Sequence, residues 1–442
     1  MRPFRVFLIT ALLLATPLFA QERVRKHVCD LTDAEWTALD HAFQTLQALP
    51  SGSANNYITW ADIHGFPPNG PCKHNSEQVW TWHRAYLYWF ENALRASDPP
   101  STANVTLPYW DWTQPPTGDH YPIQFETMPG LLPPAAQCPT ISACRDTSVT
   151  TLPPFSPSLM ASIQAIPDWG TYGGKASGTG QLEFQPHNSI HGTYIEGLNF
   201  SNAEAARDPV FWAHHSNLDR LWTEWQAAAR AAGREPGPVN KTFPINFLSG
   251  KPHSLSGDYA DVAGWMNYSY RPQQKQCKSK GLTQEAAPKK KLALLNVVMP
   301  KPSSVVELPV SGVSPSAAER LILRFHDVTR ATDASYVIRV YLRPAGSDPA
   351  KRSDADLLTF FALWRSSHEH GDAEQSDTFD ISLDVTDRYR ALTAGSSAKR
   401  VLVIDIDKRG AHEAITTSRF GEPVRWSSVS IEEVSSPKQT VK

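Results

Sequence analysis

Two histidines stand four residues apart in His187-Asn188-Ser189-Ile190-His191, and a further pair follows in Asp208-Pro209-Val210-Phe211-Trp212-Ala213-His214-His215-Ser216-Asn217. On a helix, 3.6 residues per turn bring position i over i+4, so His187 and His191 share one face. One histidine of the later segment can then complete a ring of three imidazoles. A second possible trio lies upstream: His64, His74 in Cys72-Lys73-His74, and His83 in Trp80-Thr81-Trp82-His83-Arg84-Ala85-Tyr86. Three neutral imidazoles per ion, twice over, suit copper, whereas calcium and magnesium take oxygen donors. A zinc-protease reading of His187 and His191 fails. Asn188 stands where a His-Glu-x-x-His helix carries its glutamate base.

Longer motifs surround these histidines: His-Gly-Phe-Pro at 64–67, Trp-His-Arg-Ala-Tyr-Leu at 82–87, Pro-Tyr-Trp-Asp-Trp at 108–112, and the run from Ala205 through Asp208-Pro209-Val210-Phe211-Trp212 to Trp222. Over roughly residues 25–270 the chain resembles the tyrosinase, catechol oxidase and hemocyanin family of dinuclear copper proteins. The resemblance implies a mainly α catalytic domain, a four-helix bundle around a pair of copper ions. It implies His64, His74 and His83 as ligands of one ion, and His187, His191 and His215 as ligands of the other. It also implies an oxidoreductase that takes O2 and small phenols, converts o-diphenols to o-quinones, and hydroxylates monophenols beside their hydroxyl. Two alternatives use the same ligands: an o-aminophenol oxidase, and a non-catalytic, hemocyanin-like dioxygen binder.

The resemblance extends to the rim of the site. Cys72 precedes His74 by two residues, and a Cys-x-His at this place in some relatives forms a thioether that fixes the ring. Phenols have pKa values near ~10, so delivering a phenolate needs a base or a polarised water. Glu183 and Asn188 match the family positions that hold such a water. The bulky gate residue of plant-type relatives falls here on Asn202, with Phe200 two positions upstream, so an insertion is needed to bring Phe200 to the gate. Arg207, beside Asp208, reads better as a structural ion pair than as a substrate contact.

Helices must carry these groups. Trp36, Leu39, Phe43, Leu46 and Leu49 recur at helical spacing over 33–49, and a helix is expected over about 53–64. Trp80, His83, Leu87, Phe90 and Leu94 form one stripe over 76–96, which turns His83 inward. Asp208 followed by Pro209 reads as an N-cap with proline at the first helical position. On that helix Phe211, His215, Leu218, Trp222 and Trp225 align, which modestly favours His215 over His214. Residues 97–180, rich in Pro, Gly, Ser and Thr, are expected as long loops.

At 442 residues the chain has ample length for more than one domain. A net charge of −2 supplies no electrostatic footprint for nucleic acid or an anionic membrane. Residues 1–20 read as a signal peptide: Arg2 and Arg5, an apolar run, and Ala20 before the cut. The protein is therefore expected to be exported, secreted or periplasmic. Setting Cys72 aside leaves four cysteines and three pairings; Cys138 with Cys144 is sterically easy and would leave Cys29 with Cys277.

The catalytic domain is placed at 21–272 and a lysine-rich linker at 273–292. Short strand-like runs then recur from 293 to 435, at 293–299, 304–310, 321–325, 336–341, 357–364, 378–385, 401–404 and 426–434. They read as an all-β sandwich or jelly roll, followed by a tail at 436–442. Resemblance to latent relatives implies that this domain shields the site until the linker is cut, a zymogen. Phe360, Phe361 and the His368-Glu369-His370 loop are the candidate plugs.

Overall fold

The computed structural model describes residues 23–65, 72–114, 116–118, 121–136, 138, 140, 144–145, 157–176, 178–195, 202–239, 241–245, 253–262, 264–277, 305–310, 319–330, 335–347, 353–363, 378–394, 400–409, 424–426 and 428–435. The signal segment, Phe200, most of the linker, the run at 293–299, the loop at 368–370 and the tail lie outside the described residues.

The amino-terminal part is helical. Helix α1, Asp33–Ala48, starts at a capping box: the Thr32 hydroxyl accepts from the Glu35 amide while the Glu35 carboxylate accepts from the Thr32 amide. It buries Trp36, Leu39, Phe43 and Leu46. Helix α2 is shorter than its expected span, Tyr57–Asp62, because Asn56 caps it and the chain turns at Ile63. Helix α3, Gln78–Ser97, buries the whole Trp80–His83–Leu87–Phe90–Leu94 stripe. Helix α4, Val210–Ala231, begins one residue later than expected: Pro209 is its N-cap rather than its first residue, and Asp208 accepts from the Val210 amide at 3.0 Å. Phe90 of α3 and Trp212 of α4 stack with ring centroids 3.6 Å apart. The segment expected as loops holds short helices as well, Pro157–Gln164 the longest.

Between α3 and α4 lies the segment carrying His187 and His191, and its geometry departs from the 3.6-residue expectation. It is π-helical at Glu183–His187, α-helical only at Asn188–Ile190, and π-helical again at His191–Ile195. Pro186 lies inside it and has no N–H to give a regular ladder. Such wide turns recur at functional sites.

Arg23–Arg25 (β1) pairs in parallel with Tyr268–Tyr270 (β4), with Arg25 opposite Tyr270. A small hairpin, Gly174–Lys175 (β2) with Gly178–Thr179 (β3), lies between them in sequence. The disulfide Cys29–Cys277 closes the same end of the helical part, and Cys138–Cys144 closes a short loop.

From 305 to 435 the described chain is mostly strand: β5 Val305–Val310, β6 Glu319–Arg330, β7 Ser335–Pro344, β8 Leu357–Leu363, β9 Thr378–Asp384, β10 Arg400–Arg409, β11 Val424–Arg425 and β12 Ser428–Ser435. One antiparallel sheet has the order β5-β10-β7-β8; in the other, β6 is flanked by β11 and β12 and by β9. Leu323 and Phe325 of β6 share one apolar core with Ile338 and Val340 of β7 and Ile404 of β10, so the two sheets pack face to face. A helix at Thr386–Thr393, absent from the sequence-based expectation, closes one end with Tyr389.

The first sheet is apolar on both faces. Its other side places Tyr341, Leu357, Phe360, Val401 and Val403 in the helical core. Leu357 and Phe360 reach that side together because the β7–β8 register steps from Val340↔Thr359 to Tyr341↔Leu357, a bulge at Leu358.

Candidate metal centre

Four separate stretches supply the imidazoles. His64 sits in the turn after α2, His74 in the loop before α3, and His83 one turn into α3. His187 and His191 come from the π-widened segment, and His214 and His215 from the first turn and a half of α4. All seven are buried. The ring atoms of His64, His74 and His83, with Cys72, form one tight group, and those of His187, His191, His214 and His215 another.

The two groups face one another in pairs. Ring centroids lie 4.9 Å apart for His74–His187, 4.1 Å for His83–His215 and 6.4 Å for His64–His191. Within the second group His191 Nε2 and His215 Nε2 converge to 2.8 Å. His214 came into this group against the helical-stripe expectation; its neighbours are His187, His191, His215 and the Trp112 ring. No ring of the first trio faces it among the described residues. His215 is the α4 histidine that looks across to the other trio.

Three of the rings are aimed by a partner on Nδ1. Nδ1–H of His83 donates to the Val79 carbonyl at 2.8 Å, and His187 Nδ1 meets Asn188 Oδ1 at 2.8 Å. His74 Nδ1 meets Glu183 Oε1 at 3.2 Å, and the same oxygen accepts from the Asn75 amide at 2.7 Å. Glu183 is thus a buried carboxylate bonded to a ring of the cluster, not the surface acid its position could equally have been. Such outer contacts set the tautomer and leave the opposite nitrogen for a metal. The His83 Nε2 that results is buried without a hydrogen bond.

Electrostatics keep these donors neutral. Burial holds His83, His191, His214 and His215 well below the ordinary imidazole value, and neighbouring imidazoles push them further down. His187 is lowered to about 3, by burial first and then by His74, with Glu183 and Asn188 opposing. Neutral imidazole is the form that ligates. A buried nitrogen with no partner, among imidazoles that resist protonation, fits a soft-to-borderline divalent or cuprous ion and does not fit calcium or magnesium.

The remaining expected residues fall into place unevenly. The Cys72 sulfur lies 3.1 Å from His64 Nε2 and within 4.8 Å of a ring nitrogen of His74, its expected thioether partner. Asn202 opens a short helix, Asn202–Arg207, without a described side chain. Arg207 pairs with Asp62 at 2.7 Å and with Glu204 at 2.9 Å, the structural role expected for it. Of the candidate plugs, Phe360 is buried against Tyr194, ring centroids 6.5 Å apart; the Phe361 side chain and residues 368–370 lie outside the described residues.

Sequence reasoning missed the frame behind the histidines. Asp219, one turn after His215, accepts from Arg84 at 2.5 Å, Arg25 at 3.3 Å, Tyr268 at 2.6 Å and Tyr270 at 2.7 Å. Arg25 also donates to Glu91 at 2.9 Å, and the Arg84 guanidinium lies 3.5 Å over the Trp222 ring. Burial alone would raise the Asp219 carboxyl; Arg84, Arg25 and the two phenols override it and hold it below its ordinary value. The network joins α3 to α4 beside His83 and His215. Arg84 and Asp219, lying next to candidate ligands on apolar helices, were its only signal in the sequence.

Known proteins agree with this geometry. Residues 54–228 match the family model for the common central domain of tyrosinase. The chain is 29% identical over 265 residues to tyrosinase HcTyr1 of Hahella sp. (strain CCB-MM4), covering 50% of this chain and 55% of that protein, about half its length. In fold it is similar to deoxygenated hemocyanin from Rapana thomasiana, with a TM-score of 0.55, 20% identity, and 94% and 99% of the two chains covered. It is likewise similar to a latent aurone synthase, a polyphenol oxidase, with a TM-score of 0.52, 17% identity, and 95% and 90% covered. The last two likenesses concern the fold alone. Residues 54–228, with the histidines of both groups among them, are thus similar to the common central domain of tyrosinase.

Proposed function

We propose that the protein is a copper-dependent phenol oxidase that uses O2 to turn o-diphenols into o-quinones and hydroxylates monophenols at the ortho position. The carrying observation is the pair of facing imidazole trios, buried and neutral, with His83 Nε2 left for a metal. In this reading His64, His74 and His83 hold one copper ion and His187, His191 and His215 the other. When bound, the copper pair supplies the two-electron redox chemistry with O2.

The chain's own residues orient and gate. Glu183 and Val79 fix His74 and His83, and Asn188 fixes His187. Glu183 Oε2 and the Asn188 amide nitrogen are the atoms that would hold a water to take the phenol proton. The stretch from Phe200 to Asn202 is assigned to the pocket gate, and a Cys72–His74 thioether belongs to the same reading. Intact mass tests the thioether, because the bond removes one H2 from the chain.

The β unit at 293–435 is read as a shield joined by the 273–292 linker, giving a latent enzyme until that linker is cut. Its position against the helix of His187 and His191 supports this. Export through residues 1–20 completes the reading, and N-terminal sequencing of the mature chain checks it.

Initial rates on catechol, tyrosine and o-aminophenol, before and after mild proteolysis, test the whole. Steady catechol turnover by the copper-loaded protein supports the oxidase. Reversible O2 uptake without turnover would replace it with the carrier reading, and a clear preference for o-aminophenol would replace the substrate.

A further inference from the structure

The helix that carries His187 and His191 is gripped at both ends by the β unit. Phe184, three residues before His187, is buried in the apolar core between the two sheets, with residues such as Leu323, Ile338 and Leu358. Tyr194, three residues after His191, meets Phe360 of β8. Phe360 in turn belongs to the helical core, so each part sends an aromatic ring into the other. Between the two grips the backbone is π-helical on either side of a single α turn. A π-turn is rare beside an α-turn, and an uncommon backbone conformation persists where the surrounding structure over-determines it. Glu183, which aims His74, is the residue next to Phe184.

We propose that the β unit is a positioning element for the metal centre as well as a cover, and that Phe184 is the positioning residue through which it acts. Seated in the sandwich core, Phe184 fixes the height and rotation of the π-turn that presents His187, and it carries Glu183 to His74. The Phe360–Tyr194 contact fixes the other end. On this account cutting the linker lets the β unit shift off the pocket mouth while Phe184 stays seated and the histidines keep their places, whereas stripping the β unit away disorders the His187–His191 helix.

The test uses the full chain with Phe184→Ala, Phe184→Leu and, from the strand side of the same core, Leu358→Ala. Amide exchange is read at 183–195 on metal-free protein, and copper per chain after loading is read by elemental analysis. Phe184→Ala and Leu358→Ala should each speed exchange at 187–195 by about tenfold or more, while α1 stays protected. Bound copper should fall from about two per chain towards one in Phe184→Ala, with Phe184→Leu restoring both readouts. Unchanged exchange in Phe184→Ala and Leu358→Ala overturns the inference, as does faster exchange with copper still at the wild-type level. If Phe184→Ala does not fold, Leu358→Ala decides. The copper arm rests on the dicopper reading and the exchange arm does not: a wild-type protein that takes up no copper would sink that reading and leave the exchange result to judge the coupling.

Discussion

Glu183 and His74 are separated by 109 residues in sequence, yet the carboxylate Oε1 lies 3.2 Å from the ring Nδ1. The same oxygen takes the Asn75 amide proton. Glu183→Ala removes the acceptor from one buried and one part-buried donor, at a cost of about 1–3 kcal/mol of stability. It also frees His74 to turn. We expect copper affinity to drop by about 10- to 100-fold, read by competition with a chelator. Unchanged affinity would show that Glu183 does not orient the ring.

His187→Ala should abolish stable binding at its half of the centre and bring catechol turnover to background. His253→Ala is the matched control. His253 stacks on Trp265 with centroids 4.1 Å apart, is exposed, and belongs to neither group of histidines. Metal content and turnover should be retained in that variant.

Acid should weaken the metal-free protein early. His187 is held neutral down to about 3 by its burial, whereas the unfolded chain protonates it near 6.5. Below that value the unfolded state binds the extra proton and the folded state does not. The stability this group contributes is therefore complete above pH 6.5 and is lost as pH falls towards 3, by about 1.4 kcal/mol per unit. His83, His191 and His215 shift in the same direction. Melting temperature of the metal-free chain should fall steeply between pH 6.5 and 5, and copper loading should raise it throughout that range.

Asp219→Ala should be among the most damaging single changes in the helical part. It strands Arg84 and Arg25, both fully buried, and breaking one member out of a buried ion pair costs about 3–5 kcal/mol. Urea denaturation measures the loss. A change below 1 kcal/mol would mean that the arginines find other partners, such as Glu91 and Gln226.

How much of this could be read before the structure depends on the range of the interaction. The α3 stripe and the Asp208-Pro209 start were legible because periodicity and capping are local. The strand runs after 304 were legible for the same reason, and of the three pairings left open the structure has the one that joins the near neighbours Cys138 and Cys144. His214 was not placed, since one helical stripe cannot say how near a second histidine sits to its neighbours in space. The π-turns were missed because i and i+4 spacing predicts an α-helix, and Pro186 alone does not show which way the ladder widens. Phe184 reads as one more apolar residue beside a ligand; that its ring enters the other half of the molecule is a fact of docking, which sequence pattern does not encode.

The two-sided sheet carries a practical lesson for anyone trimming the gene. Ending the polypeptide near Cys277 would bare the seats now filled by Tyr341, Leu357, Phe360, Val401 and Val403, a contiguous greasy surface on the remaining piece. Such a truncation should come out of expression as inclusion bodies or soluble aggregates, whereas the intact gene product, cleaved afterwards, should elute from a sizing column at its original volume.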